Sequence, residues 1–373
     1  MSKVMNRPET ILHIGTEKTG SSAIQSWLTR NRDNLSLLGS YYPVCPGFLN
    51  HVNLAAYGAG GSYPEELRLI YKINMEKLKK QFPRKLQKEV ERAGARQIIL
   101  SNEHCSSILR EEKHIAVLSE LLYKFSSTVK VILYVRRQDH LWLSKYSTDV
   151  MVGSHRDLEF PKYNDVYDFD YFRMIELWSS VFGKDNIIVR RFGEEYFKDH
   201  DLISDFVDAA GLPRPAIEMP ARKDNASLSG AQIEFLRLFN KHVPAMVDGK
   251  LNPLRGRDIG LAISNNNVDR RKFVVSSAKM KKMLDSYSES NERLRQAYFP
   301  GLCAPLFNQS DSGTDSLPET VLSIEDAVAI AAGMWKYNKR DQKLILTVDI
   351  LRLVRKFVSP KVRSQLKKLI KQR

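Results

Sequence analysis

Cysteine is scarce in this sequence of 373 residues, and long apolar runs are missing from it. The three cysteines (Cys45, Cys105 and Cys303) are widely separated and never spaced C-x-x-C, which argues against a disulfide framework and against a zinc site. No apolar stretch approaches the roughly 18 residues that a membrane span requires. The opening MSKVMNRPET holds no apolar segment of the kind found in secretory signals. We therefore expect a protein of the reducing cytoplasm.

Positive charge is concentrated at the C-terminal end. The formal net charge is +15, but from Lys336 onwards thirteen Lys and Arg residues face only Asp341 and Asp349, a local charge of +11. The segment VRSQLKKLIKQR places its aliphatic side chains on one helical face and its cations on the other. This pattern is typical of a helix lying on an anionic membrane, and it fits equally a helix packed on the protein with a solvated basic face. Nucleic acid ranks last as a partner, because no base-stacking aromatics interleave with the charges.

Short apolar runs recur between segments of helical periodicity. We predict strands at residues 11–14, 97–100, 129–135 and 186–192, with helices at about 21–30, 110–124, 138–150 and 171–182. Alternating strands and helices imply right-handed crossovers and a parallel sheet covered on both faces. The expected fold class is therefore α/β, a three-layer P-loop-type fold with a central parallel sheet, plus a C-terminal helical tail.

Composition divides the chain into three parts. Residues 1–307 form the main domain with an insertion at about 41–94, residues 308–320 have the composition of a linker, and residues 321–373 form the helical basic tail. Inside the insertion we expect residues 47–64 to be a loop. We also expect Pro83 to interrupt the charged helical stretch that follows.

The segment ILHIGTEKTGSS at residues 11–22 carries a candidate anion site. Gly15 and Gly20 have the spacing of G-x-x-x-x-G-K-[ST], but Ser21 stands where that motif has its lysine, and Lys18 precedes the second glycine. A strand that turns into a helix presents backbone N–H groups and the helix dipole to an anion. Serine hydroxyls add donors, and Lys18 adds a movable positive charge. The pattern predicts an anion-binding loop at this turn.

A nucleoside triphosphatase is disfavoured by two features of the sequence. The lysine is displaced from its usual place, and the strand at 129–135 ends in Arg136 and Arg137 instead of an acidic partner for magnesium. A loop that binds an anion without a metal suits another transferred group.

Two motifs together resemble those of the sulfotransferases that use 3′-phosphoadenosine 5′-phosphosulfate (PAPS). K-T-G-S-S at 18–22, behind a strand and opening a helix, resembles their 5′-phosphosulfate loop. Their second motif, an Arg at a strand end followed by a Ser in the next helix, is matched by Arg136 and Ser144. With N-A-S-L-S at 225–229 and LRQAYFPGLCAPLF at 294–307, the resemblance spans roughly residues 10–307 and leaves the tail outside.

The resemblance implies in-line transfer of a sulfuryl group from PAPS to a hydroxyl or amine, with no metal. Lys18 would neutralise the charge that develops on the leaving phosphate, and a basic residue from a later loop would close on the 3′-phosphate. For that last role Arg222, Arg255 and Arg257 compete with Lys223. The donor-binding residues implied are Lys18, Thr19, Gly20, Ser21, Ser22, Arg136, Ser144 and Lys223.

A base should take the proton of the acceptor. Family members place a His or Glu just after the strand that follows the first crossover, and here IILSNEHCSS offers Glu103 and His104. The resemblance favours Glu103, with His104 as the alternative, because neighbouring side chains diverge. If Asn102 capped the next helix, Glu103 would merely complement the helix dipole.

The function expected from these residues is sulfuryl transfer from PAPS, with release of the nucleotide product PAP. The acceptor is a glycan, a glycolipid or a small molecule, and the basic tail would place the enzyme on the inner face of the membrane. Two alternatives remain open: a divergent P-loop kinase or NTPase, and a non-catalytic relative that docks on membranes.

Overall fold

A computed structural model describes seven ranges of the chain: 7–162, 166–212, 228–248, 250–252, 259–264, 271–308 and 320–337. Lys223, its rivals Arg222, Arg255 and Arg257, almost all of the linker and residues 338–373 of the basic tail lie outside these residues. The described residues belong to two compact units. The first lies within 7–145, 159–212 and 277–308, and the second within 146–158, 228–276 and 320–337.

A five-stranded parallel sheet forms the centre of the first unit, as predicted from the alternation of strands and helices. Its strands β1 to β5 span Glu9–His13, Ser40–Tyr41, Gln97–Ser101, Thr128–Arg136 and Ile187–Phe192. The order across the sheet is β2-β3-β1-β4-β5, so β1 lies between β3 and β4. At the end of β1, His13 is in register with Ser101 on β3 and with Ile132 on β4. The residues that follow β1 and β3 therefore emerge side by side, and β4 continues beside the residues after β1 as far as Arg136.

Among the described residues, fourteen α-helices are numbered α1 to α14. In chain order, α1 to α14 span Ser21–Arg30, Arg32–Leu37, Val52–Ala59, Glu65–Ile70, Met75–Ala93, His104–Ile108, Glu112–Tyr123, Gln138–Val152, Tyr171–Phe182, Leu202–Ala209, Gly230–His242, Ile259–Ser264, Ser277–Asp285 and Ser288–Tyr298. A further helix covers 324–337, and a short antiparallel pair, β6 (Met246–Val247) and β7 (Lys250–Leu251), lies in the second unit. Within the described ranges, no helix is both long enough and apolar enough to cross a membrane.

Helices cover both faces of the sheet, which is why its strands read as continuous apolar runs. On one face, Ile11, Ile99 and Ile132 pack with Trp27 of α1 and Phe206 of α10 in a buried cluster. The alternate strand residues point to the opposite face, because the side-chain period of a strand is two, and α7 and α9 contact β4 there. This packing fixes α1, and with it the loop that precedes α1, at the end of the sheet where the strands terminate.

The insertion at 41–94 differs from the sequence prediction in two places. Residues 47–64 are not simply a loop, because α3 lies within them. Helix α5 also continues through Pro83, although an interior proline costs about 3 kcal/mol. Four buried side chains (Leu78, Phe82, Leu86 and Val90) continue the apolar stripe across the proline. Each contributes about 1.5–3 kcal/mol when buried, so packing outweighs the lost hydrogen bond.

The second unit has its own small core. It is built around Val150, Leu236 and Ile263, with Ile330 of the helix at 324–337 packed among them. Helix α11 begins with a capping box between Ser229 and Gln232, in which each side chain satisfies the backbone N–H of the other residue.

Candidate functional site

The candidate site lies where β3, β1 and β4 end next to one another. In open parallel sheets, ligands bind in the crevice beyond the carboxyl ends of the strands, at the point where the strand order reverses. Here β3 leads to Glu103, β1 leads to the loop 14–20, and β4 ends at Arg136. The fold therefore brings the predicted loop between the predicted base and the predicted arginine.

The loop is held by β4 and by its own hydroxyl groups. The Thr16 hydroxyl donates to the carbonyl of Tyr134 at 2.9 Å, which extends the pairing of β1 with β4 beyond the strand. Thr19 and Ser21 both donate their hydroxyl groups to the carbonyl of Thr16, at 2.6 and 3.3 Å. These two side chains thus shape the turn, whereas Ser22 is exposed at the start of α1.

The turn before α1 contains two residues with a left-handed backbone, Lys18 and Gly20. Gly20 has φ +79° and is the N-cap of α1, and a Cβ there would lie 2.3 Å from Leu202 Cδ2. Lys18 itself is left-handed, with φ +63°, and its side chain is half-buried. The positive φ values at Lys18 and Gly20 produce a tight turn into α1, and the N-terminus of such a helix favours a bound anion.

Arg136 reaches back from the end of β4 to the loop. Its Nη1 donates to the carbonyl of Lys18 at 2.8 Å, and its guanidinium lies 5.3 Å from the ring centroid of Phe192, the residue beside it on β5. Tyr171 holds the backbone of Arg136 by donating its hydroxyl to the Arg136 carbonyl at 2.7 Å. The two basic motifs therefore meet in space.

The charge of Arg136 is desolvated. Burial lowers the pKa of its guanidinium despite the attraction of Tyr171 and Asp139. Within the described part of the chain, no carboxylate forms an ion pair with it. A half-buried cation of this kind gains from an incoming anion, because the anion compensates for the hydration that the cation has lost.

Glu103 follows β3 and faces the loop. Gln25 of α1 donates to its Oε2 at 2.6 Å, and Asn50 of the insertion donates to its Oε1 at 3.3 Å. Asn102 does not cap the next helix: Glu103 is the N-cap residue of α6, and the Asn102 amide donates to the side chain of Asn50. Neutral amides thus hold this carboxylate in place beside the loop.

Gly15 is the residue that allows Glu103 to approach. Its φ is +96°, and a Cβ there would lie 3.0 Å from Glu103 Cβ and 3.1 Å from Glu103 Cα. We expect Gly15→Ala to cost about 1–2 kcal/mol from the left-handed backbone and, in addition, to push Glu103 away from the loop. Gly94→Ala is the matched control, since Gly94 has φ +57° with open space around it.

Both alanine variants should lose thermal stability, and only Gly15→Ala should lose nucleotide binding or activity. Calorimetric melting and ligand titration on the two variants measure these effects. An equal loss of binding in both variants would contradict the contact with Glu103 as the cause.

His104 points away from Glu103, towards a second carboxylate that the sequence reasoning missed. Its Nδ1 lies 3.4 Å from Glu17 Oε1, and its Nε2 lies 3.4 Å from the Tyr71 hydroxyl. Burial disfavours the imidazolium, but the hydrogen bond to Glu17 and the charge of Glu103 outweigh burial and raise the pKa of His104. Burial likewise opposes the charge of Glu17, yet its contacts with His104, Lys145 and Ser107 lower its pKa to about 2.

Glu17 also belongs to a charged cleft beside the loop. Lys145 of α8 lies 3.6 Å from Glu17 and 2.9 Å from Asp168, which pairs with Arg110 at 2.8 Å. These four side chains, with Ser107, line a cleft of about 370 Å³. In the sequence Glu17 stands inside the motif itself, but its partners come from distant segments.

The remaining predicted residues are placed as follows. Ser144 is half-buried on α8, directly before Lys145. Lys223 lies outside the described residues. Arg137, next to Arg136, is paired with Asp139 at 2.9 Å and donates to the carbonyl of Asn308. Among the described residues, no group of three or more His, Cys, Asp or Glu side chains is arranged to hold a metal ion.

Comparisons with known proteins assign no family. No family model matches the chain. Over 177 residues it is 30% identical to an uncharacterized protein of Archaeoglobus fulgidus, an alignment that covers 46% of each chain, so it spans about half the length of that curated relative. The crystal structure of a sulfotransferase from Alicyclobacillus acidocaldarius aligns with 64% of this chain and 93% of its own, at 15% identity and a TM-score of 0.38.

Proposed function

We propose that this protein is a sulfotransferase that moves the sulfuryl group of PAPS to a hydroxyl or amine of an acceptor. One observation carries the proposal: the Arg136 guanidinium donates to the Lys18 carbonyl at 2.8 Å. Two motifs that are far apart in the sequence thus meet at neighbouring strand ends, and we assign one to a 5′-phosphosulfate and the other to a 3′-phosphate. A desolvated arginine beside a helix N-terminus fits a donor that carries anionic groups at both ends.

The donor side of the site consists of Lys18, the first N–H groups of α1 and Arg136. When PAPS is bound, the acceptor oxygen attacks sulfur while the bond between sulfur and the phosphate oxygen breaks. Lys18 neutralises the charge that develops on that oxygen, so positioning and electrostatics supply most of the rate enhancement. Ser144 is proposed to bind the 3′-phosphate together with Arg136, and Lys223 to close on it.

Glu103 is the proposed base on the acceptor side. Its two amide donors, Gln25 and Asn50, fix the carboxylate beside the loop, where it can accept a proton from a bound acceptor. The proton of the acceptor passes to Glu103 as the new bond between oxygen and sulfur forms. A glycan or glycolipid is the proposed acceptor class, and the basic tail is proposed to contact an anionic membrane surface.

Nucleotide binding tests the donor half of the proposal. We expect PAP to raise the melting temperature far more than AMP, which lacks the 3′-phosphate, and more than ATP with magnesium. A ligand present at 100 times its Kd stabilises a protein by about 2.7 kcal/mol, which is readily measured by scanning fluorimetry. Equal shifts with PAP and AMP would remove the case for a 3′-phosphate site.

A larger shift with ATP and magnesium would favour the kinase or NTPase alternative. Transfer itself is measured with sulfur-labelled PAPS across a panel of glycans and small hydroxyl compounds. Binding of PAP without labelling of any acceptor would favour the non-catalytic alternative.

A further inference from the structure

We propose that Glu17 is a positioning residue that keeps His104 in its charged form beside the loop, so that Glu103 and not His104 accepts the proton of the acceptor. The assignment of Glu103 as the base rests on the proposed function. The pair of Glu17 and His104 can be tested without it.

The contacts of the imidazole fix a proton on one of its nitrogens. Glu17 faces Nδ1, so that nitrogen must carry a proton to make the contact, and the Tyr71 hydroxyl faces Nε2. A hydroxyl can donate or accept, so the Tyr71 contact fits both forms of the ring, and the carboxylate of Glu17 is the contact that favours the imidazolium. Each contact is 3.4 Å long, the length of a loose hydrogen bond.

The charges around His104 are predominantly negative. Glu17 approaches from the loop after β1, Glu103 precedes His104 in the chain, and the uncharged hydroxyl of Tyr71 comes from the turn after α4. Lys145 of α8 faces the other oxygen of Glu17. A neutral His104 would give up its interaction with two carboxylates, and these interactions outweigh the cost of burying its charge.

The consequence for the proposed reaction is a division of roles between adjacent residues. An imidazolium has no lone pair with which to accept a proton. Both carboxylate oxygens of Glu103 are bound by neutral amides, and its Cα and Cβ lie against Gly15 of the loop. His104 then supplies a fixed positive charge, and Glu103 supplies the base.

Histidine titration by NMR tests the pair directly. In the full-length chain labelled at histidine, the ring signal of His104 is identified by its loss in His104→Gln. We expect Glu17→Gln to move its titration midpoint to lower pH, and Glu17→Asp to restore part of the shift. The signals of the other histidines in the same spectrum report whether each variant is folded.

Glu111→Gln is the matched control, because Glu111 lies 3.9 Å from the Nδ1 of a different histidine, His114. It removes a carboxylate beside an imidazole and should leave His104 unchanged. An unchanged midpoint of His104 in folded Glu17→Gln, or an equal shift in Glu111→Gln, would overturn the proposal.

Stability as a function of pH gives a second readout of the pair. The raised pKa of His104 contributes stability that is fully present below its ordinary value of 6.5 and is lost as pH rises through the raised value. The lowered pKa of Glu17 contributes stability above its ordinary value of 4.5, which is lost as pH falls towards about 2. The advantage of the wild type over Glu17→Gln should therefore be largest between pH 4.5 and 6.5.

Activity separates Glu103 from His104. With labelled PAPS, His104→Gln should keep the acidic limb of the kcat profile against pH, and Glu103→Gln should abolish it. If Glu103→Gln kept the acidic limb and His104→Gln abolished it, the division of roles would be overturned. If no acceptor is labelled under any condition, the proposed function fails, and the NMR titration still decides whether Glu17 keeps His104 charged.

Discussion

Lys18→Ala is expected to lower kcat of sulfuryl transfer by about 10³-fold, or about 4 kcal/mol of transition-state stabilisation. The ammonium is proposed to act on the phosphate oxygen whose charge grows as the bond to sulfur breaks. Since that charge is largest in the transition state, the loss should appear mainly in kcat and less in the KM for PAPS. Steady-state kinetics with labelled PAPS measures both constants.

The structure supplies a close control for this variant. Lys72 is also a lysine with a left-handed backbone, φ +53° against +63° for Lys18, but it is exposed after α4. Lys72→Ala should therefore reproduce the backbone effect of the substitution and leave kcat within about twofold of the wild type. A Lys18→Ala enzyme that retains a tenth of its activity would refute the role of the ammonium.

Arg136→Ala is expected to weaken PAP binding by about 10- to 100-fold while changing AMP binding much less. The substitution removes a charge-assisted contact with the 3′-phosphate, worth about 1.5–3 kcal/mol, which AMP cannot make. It also removes the donor of the Lys18 carbonyl, so both nucleotides should lose a smaller, shared amount. Isothermal titration of each nucleotide separates the two effects.

Two further variants sharpen the test of Arg136. Arg136→Lys keeps the charge without the planar fork and should fall between wild type and alanine. Arg137→Ala removes the neighbouring arginine, whose guanidinium is already paired with Asp139, so it should lower stability without changing the ratio of PAP to AMP affinity. If only Arg137→Ala changed that ratio, the 3′-phosphate would have to be assigned to Arg137 and not to Arg136.

Four of the five strands were predictable because each contains a short apolar run, whereas β2, with only two residues, was not. VKVILYV at 129–135 reads as one apolar run and lies within β4, and the periodicity at 171–182 coincides with α9. The continuation of α5 through Pro83 was not predictable from local preference. It depends on a buried stripe whose partners belong to other segments.

The candidate site was predictable only in part. The glycines, Lys18 and the arginine pair stand out in the sequence, but nothing local distinguishes Arg136 from Arg137. The fold distinguishes them, because Arg136 contacts the carbonyl of Lys18 and Arg137 pairs with the carboxylate of Asp139. Glu17 was overlooked because its significance depends on His104 and Lys145. Gln25 carried one detectable signal, a polar residue among the buried positions of α1.

The position of Asn50 has a consequence for how such an enzyme could change its acceptor. Lys18 follows β1 and Arg136 ends β4, whereas Asn50, which touches the proposed base, belongs to the stretch between β2 and β3. Replacing that stretch would remodel the surroundings of Glu103 and leave the proposed donor-binding residues unaltered. Acceptor selectivity could then diversify, or be engineered, by exchanging one contiguous segment while the proposed donor site stays in place.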